Sequence, residues 1–264
     1  MAKAGVNLRQ EDIESFIAAC NGRGIDHTTI PVLYILHDDT EQTLDSCLQA
    51  AENAQLNIAI YRCMTPNSRL APLRLPVGAH IIGWNEADQP TDWWDSWWKW
   101  VRTLSNNLVI HYGAPNVNNQ WPENAPLEAA LDVVDRHIGS TFSPPTPTIE
   151  GKPVSVTEVD IDPNRFTWGD PNSMSQAYTE LISCMKNCLA AGEDVYAWGI
   201  LQDQPDAAIS LKVLVAIRDM NDSPKSRAEA AYNTLTGGAP FIPGKQYVQD
   251  NSDGSYTVVV TYAG

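Results

Sequence analysis

The 264-residue sequence predicts an α/β fold: a small or irregular (β/α)8 barrel, that is a TIM barrel, over residues 1–236, then a linker and C-terminal β-hairpin over 237–264. Three observations predict it. Short apolar runs alternate with longer helical patterns, the sequence form of repeated βα units around a mostly parallel sheet. The length suits one large α/β domain or two small ones, with a core that needs no disulfide or metal. Carboxylates, histidines and tryptophans recur just after the apolar runs, where a parallel barrel gathers its chemistry.

The elements follow in order. Residues 4–9 read as a first strand, with a helix at 11–20 whose Ile13, Phe16, Ile17 and Cys20 share a face. Strand 30–37 precedes helix 40–54, and strand 57–63 precedes a proline-containing loop. Strand 80–84 leads to a helix at 91–104, and strand 108–112 to a helix at 127–138. Strand 153–158 precedes helix 176–191, and strand 195–201 precedes a helical region at 207–235 with a break near 221–224. That gives seven strands where closure wants eight. The eighth is expected either as a short irregular strand near 140–143, or with 108–112 holding the sixth position and the fifth reduced. Alternating runs at 246–248 and 255–262 flank the turn residues Asp253-Gly254 and read as the terminal hairpin, suited to an oligomer or assembly contact.

Composition narrows the partners. The formal net charge of -15, from 32 acidic and 17 basic residues, repels phosphate backbones and anionic lipid surfaces, so neither nucleic acid nor membrane is expected. No stretch approaches the roughly 18 apolar residues of a membrane span. The N-terminus carries no apolar run of the signal-peptide kind, so synthesis in the cytosol is expected. The final location stays open, with release and a virus particle both compatible. Cys20, Cys47, Cys63, Cys184 and Cys188 lack paired metal or redox spacing and read as buried thiols. No metal and no cofactor are expected.

The predicted strand ends carry Asn7 and Arg9, His37 and Asp38, Arg62, Asn85 and Glu86, His111 and Tyr112, Glu158 and Asp160, and Trp198 with Gln202 and Asp203. A carboxylate directly after an apolar strand is poorly solvated on the barrel side, and costly unless hydrogen-bonded or functional. Two strands end so: His80-Ile81-Ile82-Gly83-Trp84-Asn85-Glu86 and Pro153-Val154-Ser155-Val156-Thr157-Glu158. This pair resembles clan A of the glycoside hydrolases, whose (β/α)8 barrels place Asn-Glu after strand four and a second Glu after strand seven. The resemblance implies Glu86 as acid/base, Glu158 as nucleophile and Asn85 as the residue holding the sugar 2-hydroxyl. His111 and Tyr112 resemble the region that orients both carboxylates, and Trp198 resembles the stacking floor of the cleavage subsite. Where the family often has Pro directly after Asn-Glu, this chain has Ala87-Asp88-Gln89-Pro90.

Strands four and seven of an eight-stranded barrel face each other across the mouth at roughly 12–14 Å. Inward glutamates shorten that to about 5 Å, the spacing of retaining enzymes. The expected function is therefore a retaining glycoside hydrolase acting on a polysaccharide or glycan, with Arg62 or Tyr112 as donors to Glu158. His37, Trp121 and Trp168 are further candidates for substrate contact, the indoles by stacking on pyranose faces. Trp93, Trp97 and Trp100 form a helical stripe suited to packing on the barrel, with Trp94 and Trp98 beside it. The alternative is a glycosidase-like barrel that binds glycan or serves in assembly, for instance on a virion, without cutting. A third option, a metal-dependent barrel enzyme using Asp38, Asp160 or Asp203, lacks any spacing that joins these residues.

Overall fold

A computed structural model describes residues 2–65, 68–83, 92–113, 131–139, 148–149, 151–160, 170–198, 207–222, 248–250 and 256–258. The chain divides into two compact units, Met1–Ile217 and Arg218–Gly264. In the first, eight parallel strands close on themselves: β1 (Ala4–Leu8), β2 (Pro31–Leu36), β3 (Asn57–Cys63), β4 (His80–Ile82), β5 (Val109–Tyr112), β6 (Val133–Gly139), β8 (Lys152–Asp160) and β9 (Asp194–Ala197). Each pairs in parallel with the next, β6 pairs with β8, and β9 returns to β1. A two-residue strand, β7 (Thr148–Ile149), pairs antiparallel with the start of β8. The fold is thus the expected closed (β/α)8 barrel, with β8 as its seventh strand and β9 as its eighth.

The missing strand is β6, which corrects the expected helix at 127–138. Leu127, Leu131, Val134 and Ile138 fall at helical spacing, but in the structure Leu131 precedes the strand and Val134 and Ile138 lie within it. The strand at 109–112 is the fifth and is not displaced to the sixth place. The region after β3, read as a loop, contains a short helix, α3 (Ala71–Arg74). Helices α1 (Ile13–Asn21), α2 (Glu41–Asn53), α4 (Asp92–Arg102), α5 (Pro171–Ala191) and α6 (Ala207–Asn221) follow their strands. None of the described helices is long and apolar enough to cross a membrane.

Local chemistry sets the helix limits. Thr40 caps α2 in a reciprocal box with Thr43, so two otherwise orphaned N–H groups are satisfied. Asp170 caps α5 by accepting from Asn172 N at 3.0 Å, with Pro171 in the first turn. Gly192 ends α5 at φ 93°, a left-handed conformation that favours glycine.

Leu33, Ile35, Ile60, Ile82 and Tyr196 come from β2, β3, β4 and β9 and meet in one buried cluster, which marks the inner face of those strands. Strand alternation then fixes the rest. Arg62 lies level with Ile35 and Ile82, and His111 with Ile82, so both face inward. Tyr34 faces outward, its hydroxyl donating to the carbonyl of Cys47 in α2 at 2.9 Å. Outside the barrel, Trp97 and Trp98 of α4 are both buried, and the Trp97 indole donates to Ser68 O at 2.8 Å. Each such ring buries about 150–250 Å², worth about 4–6 kcal/mol of transfer free energy before entropy. Trp97 thus packs as its stripe predicts. The burial of Trp98 removes it from any exposed stacking patch.

In the second unit, β10 (Val248–Asp250) pairs antiparallel with β11 (Tyr256–Val258), Gln249 opposite Thr257. The turn residues expected between them, Asp253 and Gly254, lie outside the described residues.

Gly5 sits where β1 passes under Tyr196. A Cβ there would lie 2.7 Å from Tyr196 Cδ1 and press on the Pro31 carbonyl oxygen. Gly5→Ala should therefore destabilise the barrel by about 1–3 kcal/mol, read as a lower urea midpoint with an unchanged denaturant slope.

Candidate active site

One extra residue in β8 shapes the site. Between β6 and β8, Arg136 is opposite Val156 but His137 is opposite Glu158. Between β8 and β9, Val156 is opposite Val195 but Val159 is opposite Ala197. Both neighbours skip one residue, so β8 bulges at Thr157–Glu158. A bulge lets two successive residues share a face and re-aims the side chain after it. Ser155, next to inward Asp135, and Glu158, next to His137, thereby both face the interior, while Val154, Val156 and Val159 stay buried outside.

The Glu158 carboxylate meets a guanidinium from across the barrel. Arg62 Nη1 donates to Glu158 Oε1 in a close ion pair, and His137 Nδ1 lies 3.5 Å from Oε2. The Arg62 side chain is 1% exposed and that of Glu158 12%. Arg62 Nε and Nη2 are buried without a hydrogen-bond partner. Trp198, which follows β9, lies beside the pair, with both Arg62 Cζ and Arg9 Cζ 5.7 Å from its ring centroid. Its backbone N–H donates to Val159 O at 3.0 Å, tying the end of β9 to β8 just past the bulge.

One inner layer closer to the strand starts runs a line of three polar groups. Asp135 Oδ1 is 2.7 Å from His111 Nδ1, and His111 Nε2 is 2.9 Å from His80 Nδ1. Asp135 is fully buried and His111 nearly so. Burial holds the His80 ring below its ordinary pKa, helped by His111 and Lys3 and opposed by Asp194 and Asp132. Burial also pushes the Tyr196 hydroxyl upward, reinforced by Asp194 and Asp135. Asn7 crosses the seam of the barrel by donating to Thr157 O at 2.9 Å and Ala197 O at 3.4 Å. Asn7 Oδ1, Asp135 Oδ2, Ser155 Oγ and Thr157 Oγ1 are buried without protein partners, the kind of group that ordered water satisfies.

The structure thus brings Glu158, Arg62 and Trp198 together and sets His111 beneath them. Tyr112 is placed elsewhere. It alternates with His111, and its ring packs outward on Trp98 of α4, centroids 5.4 Å apart. The described donor to Glu158 is Arg62. His37 turns to Glu11, with Nε2 3.3 Å from Oε2. Asp38 accepts from the backbone N–H of Met64 and Thr65 at 3.1 and 2.9 Å, clamping the end of β3. Glu86, Asn85, Trp121, Trp168 and Asp203 lie outside the described residues, as does the side chain of Asp160. His137 and Asp135 were missed because their strand reads as a helix; the signal was the adjacent β-branched pair Val133-Val134 before alternating Asp135 and His137.

Because the folded His80 ring resists protonation, the unfolded chain takes up a proton first as pH falls below about 6.5. Stability should be lost in that window, and His80→Gln should show a smaller drop in melting temperature between pH 7 and 5 than the wild type. Removing one member of a buried ion pair strands the other charge, so Arg62→Met should cost about 3–5 kcal/mol. Adding Glu158→Leu removes the stranded charge and should restore stability to about the wild-type level or above, and denaturant unfolding of the double-mutant cycle measures the coupling.

No protein family and no curated protein matches the chain. Solved structures do. The GH5-4 broad specificity endoglucanase from Clostridum cellulovorans aligns over 83% of this chain and 94% of its own, at 12% identity and a TM-score of 0.48. PbGH5A, a glycoside hydrolase family 5 enzyme from Prevotella bryantii B14, aligns over 81% and 86%, at 13% identity and a TM-score of 0.43.

Proposed function

We propose that the chain is a retaining glycoside hydrolase that cleaves a polysaccharide or glycan, with Glu158 as nucleophile and Glu86 as acid/base. The observation that carries it is the placement of Glu158: an inward carboxylate at a bulge near the C-terminal end of barrel strand seven, fixed by a buried guanidinium. A carboxylate so held has one oxygen engaged by Arg62 and the other directed past His137. It is oriented before substrate arrives, which is where positioning contributes most to a displacement. Ile82, the last residue of β4, lies level with Arg62, so strand four ends at the height where Arg62 meets Glu158. That agrees with a partner carboxylate following strand four.

In the first step Glu158 attacks the anomeric carbon while the partner acid protonates the leaving glycosidic oxygen; water then displaces the glycosyl group with that acid acting as base. Trp198 supplies a flat indole beside the attacking oxygen, suited to stacking on a pyranose face.

Glu158→Gln should lower turnover on a susceptible glycan by several orders of magnitude while preserving the circular dichroism spectrum, and Glu86→Gln should do the same. Proton NMR of the first product anomer should show the configuration of the substrate. Undiminished turnover in Glu158→Gln, or an inverted first product, would reject the assignment; glycan binding without release of reducing ends would leave only a binding protein.

A further inference from the structure

Arg9 follows β1, next to β9, and its guanidinium lies by the Trp198 ring at 5.7 Å. Among the described residues its guanidinium makes no hydrogen bond and no ion pair. Its Nε is buried without a partner, while its terminal nitrogens are not among the buried orphans. The acid nearest along the chain, Glu11, pairs with His37 at 3.3 Å and reaches Arg9 only as a weaker through-space attraction. An unpaired, half-buried arginine is costly, and in a chain of net charge -15 carboxylates to neutralise it are abundant. Arg62, the other guanidinium on Trp198, has its carboxylate in Glu158. Arg9 is left as the cation at this indole with no carboxylate in hydrogen-bond or ion-pair contact among the described residues.

We infer that Arg9 and Trp198 form a subsite for an acidic sugar, a uronate whose carboxylate pairs with Arg9 while its ring lies on the indole. The guanidinium is a planar fork that matches a carboxylate bidentately, and a charge-assisted pair of this kind is stronger than a neutral hydrogen bond. Contact with the indole face limits the rotamers of Arg9 and so reduces what is lost on binding. Trp198 is the floor beside Glu158, so the acidic unit lies at or next to the cleavage point. This inference rests on the glycan-cleaving reading for its ligand class and narrows it from glycans in general to uronate-containing ones.

The test is calorimetric binding to the full chain with two matched pairs: oligogalacturonate against its methyl ester, and β-1,4-oligoglucuronate against cello-oligosaccharide. In at least one pair the wild type should bind the acidic member about tenfold or more tightly, the size expected of a hydrogen bond to a charged group. Raising the salt should shrink that ratio. Arg9→Gln should bring it close to one, and Arg9→Lys, which keeps the charge without the fork, should leave an intermediate ratio and guards against a folding defect in the first variant. No preference in either pair, or a preference that survives Arg9→Gln, would overturn the inference. Cleavage of neutral glycans without charge preference would remove the uronate subsite and leave the glycosidase standing; charge-selective binding with no cleavage of any glycan would do the reverse.

Discussion

The added residue of β8 is the constraint on which the site depends. With strict alternation along this strand, Glu158 would share a face with Val154 and Val156, which are buried between the barrel and its helices. An ionised carboxylate in that layer would lose its hydration with no cation to replace it, at a cost of several kcal/mol. The shift in pairing with β6 and β9 avoids this. It places Ser155, Thr157 and Glu158 together inside while the valines keep the outer face, so closure of the barrel and exposure of the carboxylate to the mouth are one geometric fact.

What this arrangement costs is visible in the interior. A barrel of this class is normally filled by layers of branched apolar side chains. Here Leu33, Ile35, Ile60 and Ile82 fill one part, while Asn7, Arg62, His111, Asp135 and His137 occupy other inward positions. Among the described residues several buried polar atoms here, Asn7 Oδ1, Asp135 Oδ2 and Arg62 Nε and Nη2 among them, have no hydrogen-bond partner. Such a core gives up stability that a uniformly apolar one would supply, and proteins accept that loss where polar groups serve a reaction. The Asp135–His111–His80 line limits the damage: in the tautomer in which His111 Nδ1–H donates to Asp135, Nε2 of His111 is left to accept from Nδ1–H of His80. These contacts then need no charge on the His80 ring, in keeping with its depressed pKa.

The sequence made most of the barrel legible, because β1 to β5, β8 and β9 carry apolar runs bounded by turn residues or helix caps. It hid β6, for a physical reason. An inner face bearing Asp135 and His137 erases the apolar alternation that marks a strand, and the outward residues Val134 and Ile138, with Leu131 before them, happen to fall four and three apart as on a helix. The same substitution of polar for apolar side chains that hid the strand lines the barrel beside Glu158, so the reading failed where polar groups replace apolar packing. Glu158 was legible because it ends an apolar run. The bulge was not, since one extra residue leaves no mark on composition. Tyr112 was assigned to the mouth along with its neighbour His111, although adjacent residues on a strand face opposite ways.

Arg62 shows that the ion pair orients a carboxylate more than it stabilises the barrel. Its guanidinium is almost wholly buried, yet only Nη1 has an anionic partner, while Nε and Nη2 are left without hydrogen bonds. A pair selected for stability would use the whole fork, since desolvation is repaid only when the remaining donors are satisfied. Well-packed apolar residues in both positions would hold the barrel at least as firmly. A partly used cation aimed at one oxygen of a carboxylate is better explained by what it does to that carboxylate: it fixes the orientation of Glu158 and balances its charge beside the Trp198 indole, without enclosing it fully.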